Sequence, residues 1–312
     1  MKVVALARTT DMDKNVWLEL RKQGIGGSDA AAILGLDKYK SAFEVYAEKL
    51  GLTTDEPDNE AMRQGRDLEE YVASRFEEAT GKKVRRRNAI LQHPEHLFMI
   101  GNIDRWAVGE NAGLECKTTS VLNPTKFAQG EFPANYYVQC VHYMALTGAE
   151  RWYLAVLVLN KAFHVFTIER NEAEIEALIR AEKYFWEEHI LKQIPPMPDG
   201  RESASEFIKT MYPAADVQKE PVALFGYEQK IKQYLEIQGQ IKALEKEQEK
   251  LKQEFQLILG EAEKGIAQGY EVEWKNQARQ TLDTAKIRQE MPEIYEKYAK
   301  TTLARVFKVK EI

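Results

Sequence analysis

The chain is short of several things, and each shortage excludes something. It has two cysteines, Cys116 and Cys140. They cannot build a four-cysteine zinc or iron–sulfur site, and so low a count points to a reducing, cytoplasmic setting. No apolar run reaches the roughly 20 residues that a membrane-spanning helix needs, so no membrane is expected among its partners. Residues 1–8 are too short for a secretory signal and read as a first strand. Positive charge is also in deficit: 44 Lys and Arg stand against 49 Asp and Glu, a formal net charge of −5. A protein that coats nucleic acid is usually basic. A DNA enzyme is still allowed, because only the surface touching phosphate must be positive. There is no internal repeat and no low-complexity tract.

What remains is a globular composition. Hydrophobic residues make up 44% and charged residues 30% of 312, enough for one main domain and an appendage. Apolar spacing predicts helices over 13–22, 41–50, 60–80, 135–148 and 171–190. The helix over 135–148 reads as amphipathic. Strands are expected over 84–92, 98–108 and 113–119, with a hairpin of 152–159 and 163–169 around Asn160 and Lys161. Ser28 is the expected N-cap of a short helix over 29–34, behind a glycine-rich turn. Residues 53–59 read as an acidic loop and 122–130 as a short helix or loop. The order predicts the α/β (α+β) class, a mixed central sheet flanked by helices. A proline-rich break at 194–200 ends the main domain, giving domains of 1–200, a linker of 201–221, an arm of 222–262 and a small α+β tail of 263–312. In the arm, Ile237, Ile241, Leu244, Leu251, Phe255 and Ile258 alternate by four and three, with Gln248 in the same seam. That heptad predicts a packing arm or helical hairpin ahead of a self-associating coil. The tail is expected to hold strands over 270–274 and 303–309 around helices over 284–290 and 292–299.

The chemistry concentrates in two stretches, Gly101-Asn102-Ile103-Asp104-Arg105-Trp106 and Gly113-Leu114-Glu115-Cys116-Lys117-Thr118. On a strand, residues two apart share a face, so Glu115 and Lys117 stand side by side and Leu114 and Cys116 turn the other way. Asp104, on the neighbouring strand, can meet them across the pair. Two carboxylates beside an ammonium suit metal-assisted phosphodiester hydrolysis. The competing reading is a solvated ion pair on an exposed hairpin. Lys82, Lys83, Arg85, Arg86 and Arg87 form a local basic cluster, either a phosphate track or a charged edge strand. His142 reads as structural rather than as a ligand. Glu69 could be half of a surface pair with Glu70, Gln139 could face solvent, and Tyr143 and Trp17 could be core aromatics.

Taken in order, the glycine-rich turn, the helix with Glu69, the Asp104 strand, Glu115-x-Lys117 and the helix with Gln139-Cys140-Val141-His142-Tyr143 resemble the PD-(D/E)XK nuclease superfamily. More closely, residues 14–195 resemble its YqaJ-type viral recombinases, relatives of lambda exonuclease. Trp17-Leu18-Glu19-Leu20-Arg21-Lys22-Gln23-Gly24-Ile25-Gly26-Gly27-Ser28 is the most specific part. The residue before Asp104 is Ile103 where the superfamily motif has proline, and the long C-terminal arm has no counterpart in lambda exonuclease. The resemblance implies that Asp104, Glu115, the backbone carbonyl of Cys116 and Glu69 hold Mg²⁺, with Mn²⁺ as the alternative. It makes Lys117 the catalytic lysine, Gln139 and Tyr143 a substrate-contacting pair one helical turn apart, and Arg21 and Ser28 a pocket for a terminal 5′-phosphate. It further implies a 5′→3′ exonuclease acting on double-stranded DNA ends, a RecT-like annealing partner, a ring-shaped homo-oligomer and the cytoplasm of a bacterial phage host. The rival readings are an endonuclease of the same superfamily and a non-catalytic DNA-end adaptor.

Overall fold

A computed structural model describes residues 3–52, 59–120, 125–300 and 305–310. The chain divides into two compact units, Met1–Met211 and Tyr212–Ile312. The first unit opens with β1 (Val4–Arg8) and α1 (Lys14–Lys22), then α2 (Gly27–Ile33), α3 (Ala42–Lys49) and α4 (Glu60–Thr80). The strands β2 (Val84–Arg85), β3 (Ala89–Gln92), β4 (Ile100–Gly101), β5 (Arg105–Ala107) and β6 (Ala112–Thr119) follow. Next come α5 (Thr125–Ala128), α6 (Ala134–Thr147), β7 (Arg151–Val158), β8 (Ala162–Glu169) and α7 (Glu172–Phe185). A π-helical turn, Trp186–Leu191, continues α7, and α8 (Glu202–Met211) closes the unit.

The helix starts follow their caps. Asp13 caps α1, Asn59 caps α4, and Ser41 with Glu44 forms a reciprocal capping box on α3. Ser28 does not cap α2. The cap is Gly26, whose N–H donates to Asp29 at 3.0 Å, and Ser28 lies inside the first turn. The expected strands over 84–92 and 98–108 each break in two. β2 and β5 join one sheet while β3 and β4 join the other, because the chain bends between them; Asp104 sits in the second bend, just before β5. Part of the expected 53–59 loop, and residues 122–124 of the 122–130 segment, lie outside the described residues.

A three-stranded antiparallel sheet runs β1-β3-β4. The central mixed sheet runs β2-β5-β6-β7-β8, with β6 and β7 parallel and the other pairs antiparallel. The α5–α6 crossover joins the parallel pair. On one face, Leu114 packs with Val72 and Phe76 of α4, and Cys116 joins them. On the other face α6 lies against Leu154 and Val156. This helix is not amphipathic over most of its length: every residue from Val138 to Thr147 is buried. Phe207 of α8 packs edge-on to Phe43 at 5.0 Å between ring centres, which ties α8 to the first unit.

The second unit holds α9 (Glu228–Leu259), a hairpin of β9 (Lys264–Ala267) and β10 (Tyr270–Glu273), and helices α10 (Thr284–Glu290) and α11 (Pro292–Tyr298). Strand β9 was not foreseen. The strand expected over 303–309 is absent from residues 305–310, and 303–304 lie outside the described residues. No described helix is long and apolar enough to cross a membrane.

Candidate active site

The site is built on β6. Alternation turns Leu114 and Cys116 toward α4 and sends Glu115 and Lys117 to the α6 face, where Lys117 Nζ lies 2.7 Å from Glu115 Oε1. Asp104 reaches the same strand from the bend before β5. Its Oδ2 accepts the Cys116 backbone N–H at 2.8 Å, standing in for a ladder carbonyl beyond the end of β5. From α6, Gln139 Nε2 donates to Glu115 Oε1 at 2.7 Å and to the Tyr143 hydroxyl at 3.1 Å. Gln139 therefore faces the site and not solvent.

The electrostatics follow from burial. Burial, then Glu115 and Glu69, push the Asp104 carboxyl well above its ordinary range against the pull of Lys117 and the Cys116 N–H. Burial also raises Glu115, although Lys117 opposes it. For Lys117, burial favours the neutral amine, but the Glu115 and Asp104 carboxylates outweigh it and raise the pKa, so the side chain is an ammonium. Burial raises the Cys116 thiol well above its usual value, which leaves its backbone carbonyl as the ligand this residue can offer.

Glu69 is placed differently from the other acids. It contacts the buried guanidinium of Arg105, whose other arm reaches Glu70 at 2.9 Å. Arg105 was missed at the sequence level; its only signal was its place directly after Asp104. Among the described residues, no three His, Cys, Asp or Glu side chains converge as a ready-made metal cage. The fit to a divalent cation rests on other features. Asp104 and Glu115 meet at one part-buried locus, the Glu115 carboxylate disfavours the Asp104 charge, and Glu115 Oε2 is buried with no hydrogen-bond partner. Hard carboxylate oxygens of this kind, one of them spare, suit Mg²⁺ or Mn²⁺.

Arg21 and Ser28 also meet: the guanidinium donates to Ser28 Oγ at 3.3 Å and lies over the Trp17 ring. Beneath them Asp29 is fully buried among three cations. Lys49 Nζ lies 2.6 Å away, Lys40 Nζ 2.9 Å and Arg21 4.0 Å. Burial alone would raise the Asp29 pKa, but Lys40, Lys49 and Arg21 together hold it well below the carboxylate range. Lys49 also donates to the Arg21 carbonyl at 2.9 Å, fixing the end of α1. This buried cluster was not foreseen, because Lys40 and Lys49 come from a different loop and helix. The two halves of the site touch through Gly27. A Cβ there would stand 2.8 Å from the Tyr143 ring and 3.0 Å from Gln139 Cγ, so α2 packs directly on the pair that holds Glu115.

His142 is structural, as expected: both ring nitrogens are bonded, to Glu182 at 2.7 Å and to the Ile100 carbonyl at 2.9 Å. Of the basic cluster, Lys82, Lys83 and Arg86 pair with Glu110, Glu77 and Glu70, and Arg87 lies over the Trp106 ring.

The YqaJ-like viral recombinase domain family matches residues 16–150. A relative from Bacillus subtilis (strain 168), the uncharacterized protein YqaJ, is 39% identical over 310 residues, which cover 98% of this chain and 97% of that protein. Among solved structures, the chain is similar to the alkaline exonuclease LHK-Exo of Laribacter hongkongensis, at 21% identity and a TM-score of 0.47, over 58% of this chain and 96% of that one. It is also similar to a phage related exonuclease from Haemophilus somnus 129PT, at 13% identity and a TM-score of 0.44, over 57% of this chain and 100% of that one.

Proposed function

The chain belongs to the YqaJ-like viral recombinase family, and we propose that it is an Mg²⁺-dependent 5′→3′ exonuclease that consumes one strand of linear double-stranded DNA. The observation that carries this reading is the meeting of Asp104, Glu115 and Lys117 at one part-buried locus, with Glu115 Oε2 left without a partner. A bound divalent cation supplies polarisation of the scissile phosphate and activation of water.

The chain's own residues have distinct tasks. Asp104 is aimed by the Cys116 N–H, and Glu115 by Gln139, so both carboxylates are held before substrate arrives. The Lys117 ammonium offsets negative charge as the phosphorus takes on a fifth oxygen. Arg21 and Ser28 hold the terminal 5′-phosphate, a dianion that a guanidinium fork and a hydroxyl suit. Gly27 fixes the spacing between that phosphate and the cleaved bond by seating α2 on Tyr143 and Gln139. The products are 5′-mononucleotides and a 3′ single-stranded tail, the substrate of a RecT-like annealing protein.

The test is digestion of linear duplexes labelled at either end, with and without a 5′-phosphate, in Mg²⁺, Mn²⁺ or chelator. Release should begin at the 5′ end, need the cation and slow without the phosphate. Rates indifferent to the phosphate would remove the role of Arg21 and Ser28. Efficient cutting of closed circular DNA would favour the endonuclease instead, and end binding without cleavage would favour the adaptor.

A further inference from the structure

Arg105 is a buried cation beside the site, and hydrolysis gives it no task. A guanidinium is costly to bury, so its partners show what it serves. On β5, alternation sends Ala107 onto Val72 and Phe76 of α4 and puts Arg105 on the same face, where it is buried. Its two terminal nitrogens reach different partners there. Nη1 donates to Glu69 Oε1 and, at 2.7 Å, to the Asp104 backbone carbonyl. Nη2 donates to Glu70 Oε2 at 2.9 Å, and Glu70 also meets Arg86. One side chain thus ties the Glu69 carboxylate of α4 to the backbone of Asp104.

We propose that Arg105 is a positioning residue: it acts through Glu69 and sets how firmly the site grips its divalent cation. This role rests on the cation reading above. Burial raises the carboxyls of Asp104 and Glu115, and the charge of Glu69 adds to the rise in both, so the three acids face one another. Like charges so close repel. The Glu69 side chain is 32% exposed and, unrestrained, would turn away to water. The guanidinium holds it against that repulsion. Because the same nitrogen is anchored on the Asp104 carbonyl, the spacing of Glu69 from Asp104 is set by one planar fork. Glu70 differs: its side chain is 68% exposed and has Arg86 as a second partner, so it steadies the guanidinium and not the cation. The rival role is a staple that only joins α4 to β5. A staple needs a buried positive charge, which lysine also supplies. Positioning needs the fork, which lysine lacks.

The test is Mn²⁺ binding by the full chain without DNA, read from the paramagnetic signal of free Mn²⁺. Arg105→Lys keeps the charge and loses the fork, and should weaken binding ~10-fold or more, the scale of losing a group that orients a metal-supporting carboxylate. Glu69→Gln should weaken it by a similar factor. Adding Arg105→Lys to Glu69→Gln should weaken it no further, because both changes act through one carboxylate. Glu70→Gln should leave binding within about twofold, as fits a largely exposed acid. Glu69→Asp leaves Arg105 its other partners and withdraws the carboxylate by one methylene, so it also should bind ~10-fold more weakly, and it decides the matter if Arg105→Lys does not fold. Wild-type affinity in Arg105→Lys or Glu69→Asp would overturn the role. So would additive losses in the double variant, or a loss at Glu70 as large as at Glu69. Mn²⁺ binding that ignores Arg105 would leave the cation reading standing, whereas a wild type that binds no Mn²⁺ would overturn both.

Discussion

The two units handle the hydrophobic effect in opposite ways. In residues 1–211 charge goes inside: Asp29, Lys49, Arg105, Glu115 and Glu182 are all buried. In residues 212–310 apolar side chains stay outside, and the seam of α9 is open along its length. Either choice costs stability unless something compensates. In the first unit the compensation is internal: buried Asp29, Lys49, Arg105, Glu115 and Glu182 each meet an opposite charge, and the place where it falls short is half-buried Asp104, where the single Lys117 stands against the carboxylates of both Asp104 and Glu115. Within the second unit no described element covers the seam. Where opposite charge falls short a further component is expected, and in the first unit that place is Asp104 and Glu115, where a divalent cation would supply the balance.

The sharpest break in that comparison is to remove one of the two carboxylates that share Lys117. Asp104→Asn or Glu115→Gln should lower the cleavage rate by about 10³-fold, the scale of losing one preorganised electrostatic group. Asp104 has a folded-state pKa well above its free value, so its charged form weakens the fold at neutral pH. Asp104→Asn should therefore leave the melting temperature unchanged or raise it. A large loss of activity together with a lower melting temperature would mean that the carboxylate is a structural group.

Compensated charge should behave in the reverse way. Lys49→Met removes one cation from buried Asp29 and should cost about 3 kcal/mol in denaturant unfolding, the usual result of breaking a buried pair. Activity of the remaining folded protein should fall mainly through weaker use of the 5′-phosphate, because Lys49 also fixes the Arg21 carbonyl. Gly27→Ala probes the contact between the two halves of the site. Its added methyl meets the Tyr143 ring and should cost about 2 kcal/mol, typical of overpacking, with slower cleavage at saturating DNA.

How much of this is legible in sequence depends on the range of the interaction. The α3 cap is written in Ser41 and Glu44, three residues apart, and the β6 faces are written in simple alternation from Leu114 to Lys117. The break at Asp104 is not. Residues 98–108 read as one strand, and the chain leaves the strand there to reach an N–H on β6, a partner fixed only by tertiary register. Gln139 is similar: a helix buried all round gives no periodic signal for which polar residue faces the site. In the tail the strand over 270–274 and both helices were legible, while β9 was missed because a short strand has no pattern apart from its partner, here β10.

The smallest effect expected is at His142 and Glu182, where both imidazole nitrogens are bonded and one carboxylate oxygen takes the proton's side of the pair. Burial favours neutral imidazole, but the Glu182 carboxylate, the Ile100 carbonyl and, farther off, Asp29 outweigh it and raise the pKa. A folded-state pKa above the unfolded value near 6.5 stabilises the protein fully below about pH 6.5, and the contribution fades as pH rises through the folded value. Glu182→Gln keeps the shape and a hydrogen bond but removes the charge that holds the proton. Wild type should be the more stable of the two at pH 6, and the difference in melting temperature should shrink as pH rises through the folded value. A difference that stays constant or grows with pH would show that the pair is held as neutral imidazole, and that this part of the first unit does not balance its buried charge after all.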